Sequence, residues 1–109
     1  MMTEGNDNPI VVMTTCPDGT VAENLAGILV ERKLAACVQI SPAVKSIYMW
    51  EGTVRSESEH LLFIKTVSTK YPDLEAIIKE NHPYEIPEIL AIPASAVSAD
   101  YLEWMTDVL

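Results

Sequence analysis

Residues 37–67, CVQISPAVKSIYMWEGTVRSESEHLLFIKTV, decide how this chain folds. Two runs rich in Val, Ile, Thr, Tyr, Trp and Phe flank a single turn candidate, Glu51-Gly52, so the stretch reads as one long β-hairpin. The first arm, residues 37–50, holds 14 residues and would reach ~45 Å if straight, at ~3.3 Å per residue. A compact domain of 109 residues has a radius of gyration near ~13 Å and a diameter of ~35 Å. The hairpin is too long for its own body. The sequence therefore predicts that it bends, at Pro42, and that its tip projects and is covered by another subunit.

The flanking segments supply a sandwich for this hairpin. Residues 10–13, IVVM, form a continuous apolar run continuing through Thr14 and Thr15, the pattern of a buried central strand. Cys16-Pro17-Asp18-Gly19 ends it in a turn. A helix follows, with Thr20 and Glu23 as a capping box, Asp18 as a rival cap, and Val21, Leu25, Ile28 and Leu29 as its apolar stripe. Glu31, Arg32 and Lys33 mark its wet end. After the hairpin, Pro72 suits the first turn of a second helix whose stripe is Leu74, Ile77 and Ile78, ended by Asn81 and Pro83. Residues 82–88, HPYEIPE, read as a stiff, proline-bracketed loop, and residues 89–92 as a strand closed by Pro93. Ser98 caps a last helix with Tyr101, Trp104, Met105 and Val108 on one core-facing stripe. The order is strand–helix–strand, strand–helix–strand, then a helix. The fold class is α+β: a ferredoxin-like split βαβ sandwich with a long central β-hairpin and a C-terminal helix. Residues 1–8 read as a disordered tail and residues 9–109 as a single domain. Both main helices fall on one face of a four-stranded antiparallel sheet. The C-terminal helix is expected to cover part of the other face, and further subunits the rest.

Composition narrows the function. Hydrophobic residues make up 49% of the chain, which is globular composition. No apolar run approaches the ~18 residues a membrane span needs, and the polar N-terminus lacks a signal-peptide layout, so a cytoplasmic location is expected. A formal net charge of −9 opposes nucleic acid and anionic lipid. Cys16 and Cys37 fall at opposite ends of the predicted sheet, ~20 Å apart at strand spacing, and are expected to be free thiols. With only 4 glycines there is no P-loop or dinucleotide fingerprint. G-x-S-x-G and paired Cys–His signatures are also missing. The loop CPDGT is acidic and lacks the anion cradle of a small acyl-phosphate hydrolase. Residues 10–15 lack the aromatic and basic residues of an RNA-binding sheet. The reading is a protein that is not an enzyme and requires no cofactor.

The topology does gather one set of ligand-type side chains. Thr14 and Cys16 share a face by period two and converge, at the top of the sheet, with the loop 82–88. Thiol, imidazole and carboxylate are metal-ligand types, which makes His82, Glu88 and Cys16 the candidate metal residues. Each also has a plain structural reading: Cys16 as a small buried hydrophobe and His82 as a cap before Pro83. His60 is expected to face outward. Lys65, in a central strand, is expected to snorkel or to pair with a carboxylate at an interface. Tyr48 and Trp50 at the hairpin tip read as packing or interface anchors.

Several motifs in order carry a family resemblance over residues 10–107: CPDGTVAENLAGILVERKLAACVQI, SIYMWEGTV, LLFIKT, NHPYEIPEILAIP and the closing DYLEWM. Together they resemble the CutA family, small proteins associated with divalent-cation and especially copper tolerance. The resemblance implies a ferredoxin-like protomer similar to the PII signalling proteins, and a homotrimer in which hairpins and edge strands pair between subunits. It also implies copper ligation by a first-strand Cys and by His before the Pro of H-P-Y. The matching strand position here is Thr14, with Cys16 two residues later. Asn81-His82 precedes Pro83, and Glu88 matches the family's P-E motif. Trp50, Lys65, Tyr84, Glu88 and Trp104 match the motif set and are expected to line inter-subunit clefts. The implied function is a non-enzymatic cytoplasmic homotrimer that binds Cu(II) or a related divalent cation. The alternative is a PII-like adaptor whose cleft binds a small metabolite or a partner protein.

Overall fold

The structure, a computed structural model, describes residues 7–109. Residues 1–6 of the expected tail lie outside the described residues. Residues 7 and 8, assigned to that tail from sequence, are tied to the body. Ser68 N–H donates to the Asn8 carbonyl at 2.7 Å, Asn8 N–H donates to Ser68 Oγ at 3.2 Å, and the Thr69 hydroxyl donates to Asp7.

Four antiparallel strands and three helices follow the predicted order: β1 (Pro9–Cys16), α1 (Gly19–Glu31), β2 (Cys37–Trp50), β3 (Thr53–Val67), α2 (Tyr71–Asn81), β4 (Leu90–Pro93) and α3 (Ala99–Val108). A single 3-10 turn, Ser68–Lys70, leads into α2. The sheet order is β2-β3-β1-β4, so the first and fourth strands are neighbours as the topology requires. Alternation along the strands divides the sheet into two faces. Ile10, Val12 and Cys16 of β1 and Leu62 and Ile64 of β3 face the helices. There they meet Ala22, Leu25 and Leu29 of α1 and Leu74 and Ile78 of α2 in one core. The other face, carrying Val11, Met13, Leu61 and Phe63, is only half-buried.

The hairpin bends where the sequence placed the bend. The β2–β3 register shifts between Ile40 and Ala43, so Ser41 and Pro42 form a bulge. Ser41 Oγ accepts from Leu61 N–H at 2.9 Å, and His60 Nδ1–H donates to the Ser41 carbonyl at 2.8 Å. His60 is therefore half-buried, on the face of Leu62 and Ile64, and not the outward residue expected. Glu51 and Gly52 both have positive φ, 49° and 77°, as a two-residue type I′ hairpin turn demands. The molecule extends 44 × 26 × 23 Å, against the ~35 Å of a compact domain.

Three local features sharpen the sequence reading. Asp18, rather than Thr20, caps α1, accepting from Val21 N–H at 2.9 Å. The C-terminus of α1 is a Schellman turn: Lys33 N–H donates to Val30 O at 3.0 Å and Leu34 N–H to Leu29 O at 2.9 Å. Lys33 holds the left-handed position, φ 59°, that glycine usually fills. In α3, Met105 alone is buried, while Tyr101 and Trp104 remain 39% and 44% exposed and stack on each other at 5.5 Å. Their stripe is amphipathic as expected, but a stripe has the same spacing whether its cover is a core or another surface.

Lys33→Gly is expected to stabilise the protein by about 1 kcal/mol, by removing the left-handed cost of a Cβ. Urea unfolding of the variant against the parent reads this directly. Gly52→Ala should lose about 1 kcal/mol, a backbone cost alone, since an added Cβ at Gly52 meets no atom within 4 Å.

Candidate functional site

Beyond His60, β3 has no β1 partner, because β1 ends with the pair Cys16–His60. Residues 53–59 therefore continue as a two-stranded ribbon with β2. The ribbon and the loop 82–88 face each other across a cavity of about 700 Å³. Period two sends Arg55, Glu57 and Glu59 of β3 to one face, with Tyr48 and Ser46 opposite Arg55 and Glu57 on β2. Trp50 lines the cavity near the tip, Thr15 stands at the end of β1, and Tyr84, Glu85, Ile86 and Glu88 close the loop side. Four carboxylates and one guanidinium make the wall strongly acidic.

Glu59 is the buried member, only 7% exposed. Its Oε2 accepts from the Tyr84 hydroxyl at 2.9 Å. Among the described residues the one ion pair is Lys79–Glu75, at 3.5 Å on α2, so no lysine or arginine neutralises Glu59. The uncompensated charge is felt by its neighbours. Burial, the hydrogen bond to Glu59 and the charges of Glu59 and Glu57 push the Tyr84 phenol well above its ordinary range. Burial, then the charge of Glu59, raises the Glu88 carboxyl above its ordinary 4.5. The Tyr48 phenol is raised first by its hydrogen bond to Glu57.

His82 ends α2 in an extended conformation, φ −97° and ψ 137°, as a residue before proline must. Both ring nitrogens are engaged. Nε2–H donates to the Thr15 carbonyl at 2.7 Å, and Nδ1 accepts from Tyr84 N–H at 3.1 Å. The ring also lies 4.8 Å from that of Tyr84. Cys16 is fully buried and its thiol is pushed up to about 11, by burial first and then by Asp18 and Glu59. It is a thiol, not a thiolate, at neutral pH. Glu88 is exposed on the cavity wall. No group of three or more His, Cys, Asp or Glu placed to hold a metal ion occurs among the described residues. His82, Glu88 and Cys16 thus share one end of the sheet without forming a ligand cage: the His82 nitrogens are both engaged and Cys16 is buried, so their placement does not fit a copper centre within one protomer. At the strand position matched to the family's cysteine, Thr14 Oγ1 is buried with no hydrogen-bond partner.

Of the expected cleft residues, Trp50 and Tyr84 line the cavity together with Glu88, whereas Lys65 and Trp104 do not. Lys65 Nζ donates to Gln39 Oε1 at 2.6 Å, a neutral amide on the neighbouring strand. Sequence reasoning missed Arg55, Glu57 and Glu59. The signal was present in RSESE, where charges at every second strand residue share a face.

A four-stranded antiparallel split βαβ sheet with an overlong hairpin and an acidic cavity at its flank defines a ferredoxin-like α+β protein. The family model for CutA1 divalent ion tolerance protein matches residues 10–108, and the chain belongs to that family. It is 43% identical over 97 residues to the divalent-cation tolerance protein CutA of Thermus thermophilus, covering 89% of this chain and 94% of that one. The crystal structure of CutA1 from Oryza sativa superimposes with a TM-score of 0.91 at 40% identity, covering 94% of each chain. A CutA from Archaeoglobus fulgidus, described as periplasmic, gives a TM-score of 0.89 at 34% identity and covers 92% of this chain and 97% of that one. The chain spans 63% of its Xenopus laevis relative and 53% of its Arabidopsis thaliana relative. Among the described residues no helix is long and apolar enough to cross a membrane.

Tyr84→Phe is expected to cost about 1–3 kcal/mol, because it strips the buried Glu59 carboxylate of its donor; denaturant unfolding at neutral pH measures it. Thr14→Val should stabilise by about 1 kcal/mol, by removing an unpaired buried hydroxyl at nearly constant shape. For Glu88 the folded carboxyl holds its proton more tightly than the unfolded one. Its contribution to stability is present below the ordinary 4.5 and is lost as pH rises through the folded value. Glu88→Gln should therefore gain stability relative to the parent between about pH 4 and pH 7, read as diverging unfolding midpoints.

Proposed function

We propose that this chain acts in tolerance of divalent cations, copper(II) among them, as a non-enzymatic cytoplasmic homotrimer with no resident cofactor. The observation that carries the proposal is family membership over residues 10–108. The acidic cavity adds chemistry to it: carboxylates and a low local potential draw cations. Exposed Glu88 and Glu85 on the loop side and Glu57 on the ribbon side supply oxygen donors, and a second subunit is expected to add others. Assembly is supported by the hairpin tip, where Ile47, Met49 and Val54 are 69%, 64% and 64% exposed, more apolar surface than a monomer normally shows. Two free cysteines suit a reducing compartment.

A second reading, a PII-like adaptor with a small-molecule ligand, is favoured by one observation. The cavity of about 700 Å³ is of ordinary ligand size and carries Tyr48, Trp50 and Tyr84 on its walls.

Light scattering at micromolar concentration is expected to give the mass of three chains, and a monomer would overturn the assembly. Copper(II) titration by calorimetry should show saturable binding tighter than roughly 100 μM, worth ~5.5 kcal/mol, weakened in Glu88→Gln. No saturable binding, with a thermal shift from small organic metabolites, would move the conclusion to the adaptor.

A further inference from the structure

We infer that His82 is a positioning residue, the pin that holds the loop 82–88 against the end of β1, and that it is not a metal ligand. The partners of its two ring nitrogens fix which of them carries the proton. The Thr15 carbonyl can only accept, so the Nε2 facing it at 2.7 Å carries the ring proton. The Tyr84 N–H can only donate, so the Nδ1 facing it at 3.1 Å is the bare nitrogen. One neutral tautomer satisfies both, and in that tautomer the single in-plane lone pair is already taken. A metal ion needs a lone pair. Coordination at Nδ1 displaces the Tyr84 amide, and coordination at Nε2 requires the other tautomer and breaks both bonds.

The two contacts have different structural purposes. β4 pairs with β1 only from Ile10 to Met13, so the outer side of β1 lacks a strand partner at Thr15. The imidazole takes the place of the missing strand there. On its other side, Nδ1 accepts from the amide two residues on, the geometry of an Asx turn with a ring nitrogen in place of the Asn oxygen. That turn reverses the chain after Pro83 and delivers the Tyr84 ring, 4.8 Å from the His82 ring, to the side of the sheet where its hydroxyl reaches Glu59 at 2.9 Å. The chain of contacts Thr15–His82–Tyr84–Glu59 joins β1, the loop and β3. Removing the imidazole leaves the Thr15 carbonyl and the Tyr84 amide without these partners, and releases the residue that satisfies a buried carboxylate.

This inference stands without the cation proposal, because its first test is made on metal-free protein. Nitrogen-15 NMR of the imidazole should show His82 neutral with the proton on Nε2, and saturating Zn²⁺ should leave that signature in place. A proton on Nδ1, or a His82 nitrogen that moves to a metal-bound shift, would overturn it. Variants give the second test. Exchange of the Tyr84 amide should quicken about fivefold to tenfold in His82→Ala and regain protection in His82→Asn, whose side-chain oxygen restores the turn. Unchanged Tyr84 exchange in His82→Ala, with copper affinity lost, would assign the ligand role instead. Should His82→Ala fail to fold, the wild-type spectra and His82→Asn decide.

Discussion

The structure turns on a mismatch of strand lengths. β1 has 8 residues and β3 has 15, so about half of β3 runs on after its central neighbour has stopped. The bulge at Ser41 and Pro42 sits where support ends, opposite Leu61 and next to the Ala43–His60 pair; the other partner of His60 is the last residue of β1. Pro42 has no N–H to give a ladder, and Ser41 replaces what is lost by using its hydroxyl and carbonyl on Leu61 and His60. Proximal to this joint the sheet has a core behind it. Distal to it the two strands have only each other, which is why the apolar residues of the tip stay exposed and why a cavity opens along the ribbon's flank.

Electrostatics at that cavity follow from one choice, a buried Glu59 answered by a phenol and not by a cation. A neutral donor satisfies the geometry of a carboxylate but leaves its charge in place. Glu88 and Tyr84 are shifted in the direction that charge dictates. The aromatic and imidazole groups of the loop serve to hold this arrangement together, and the exposed carboxylates are what the cavity offers to a visitor.

Much of this was legible in the residues. Alternation, the Glu51-Gly52 turn and the position of Pro42 were enough for the hairpin, and the order of periodic segments was enough for the topology. Local competition was harder to read. Asp18 and Thr20 are both good caps, and only the backbone decides between them. Lys33 in a left-handed turn carries no sequence mark, because that site is normally announced by glycine. The candidate site was half visible. His82, Glu88 and Cys16 were rightly placed at one end of the sheet, but residue types do not reveal that a histidine's two nitrogens are already used or that a thiol is sealed behind helices. Arg55, Glu57 and Glu59 were overlooked because charges on a strand read as a wet face until something folds over them. Tyr101 and Trp104 show the opposite case, a stripe whose spacing fits a core but which stays exposed within the protomer.

The cavity's two sides differ in how firmly they are held. The loop side is anchored through His82 to a central strand and flanked by three prolines, Pro83, Pro87 and Pro93, which restrict its backbone. The ribbon side belongs to a segment with few buried contacts, the kind that opens at low free energy while the body stays folded. The space between them resembles a caliper, with one jaw pinned to the body and one built from two strands that have only each other. Its width is set less by side-chain size than by the joint at Ser41 and Pro42, which fixes the direction in which the ribbon leaves the sheet.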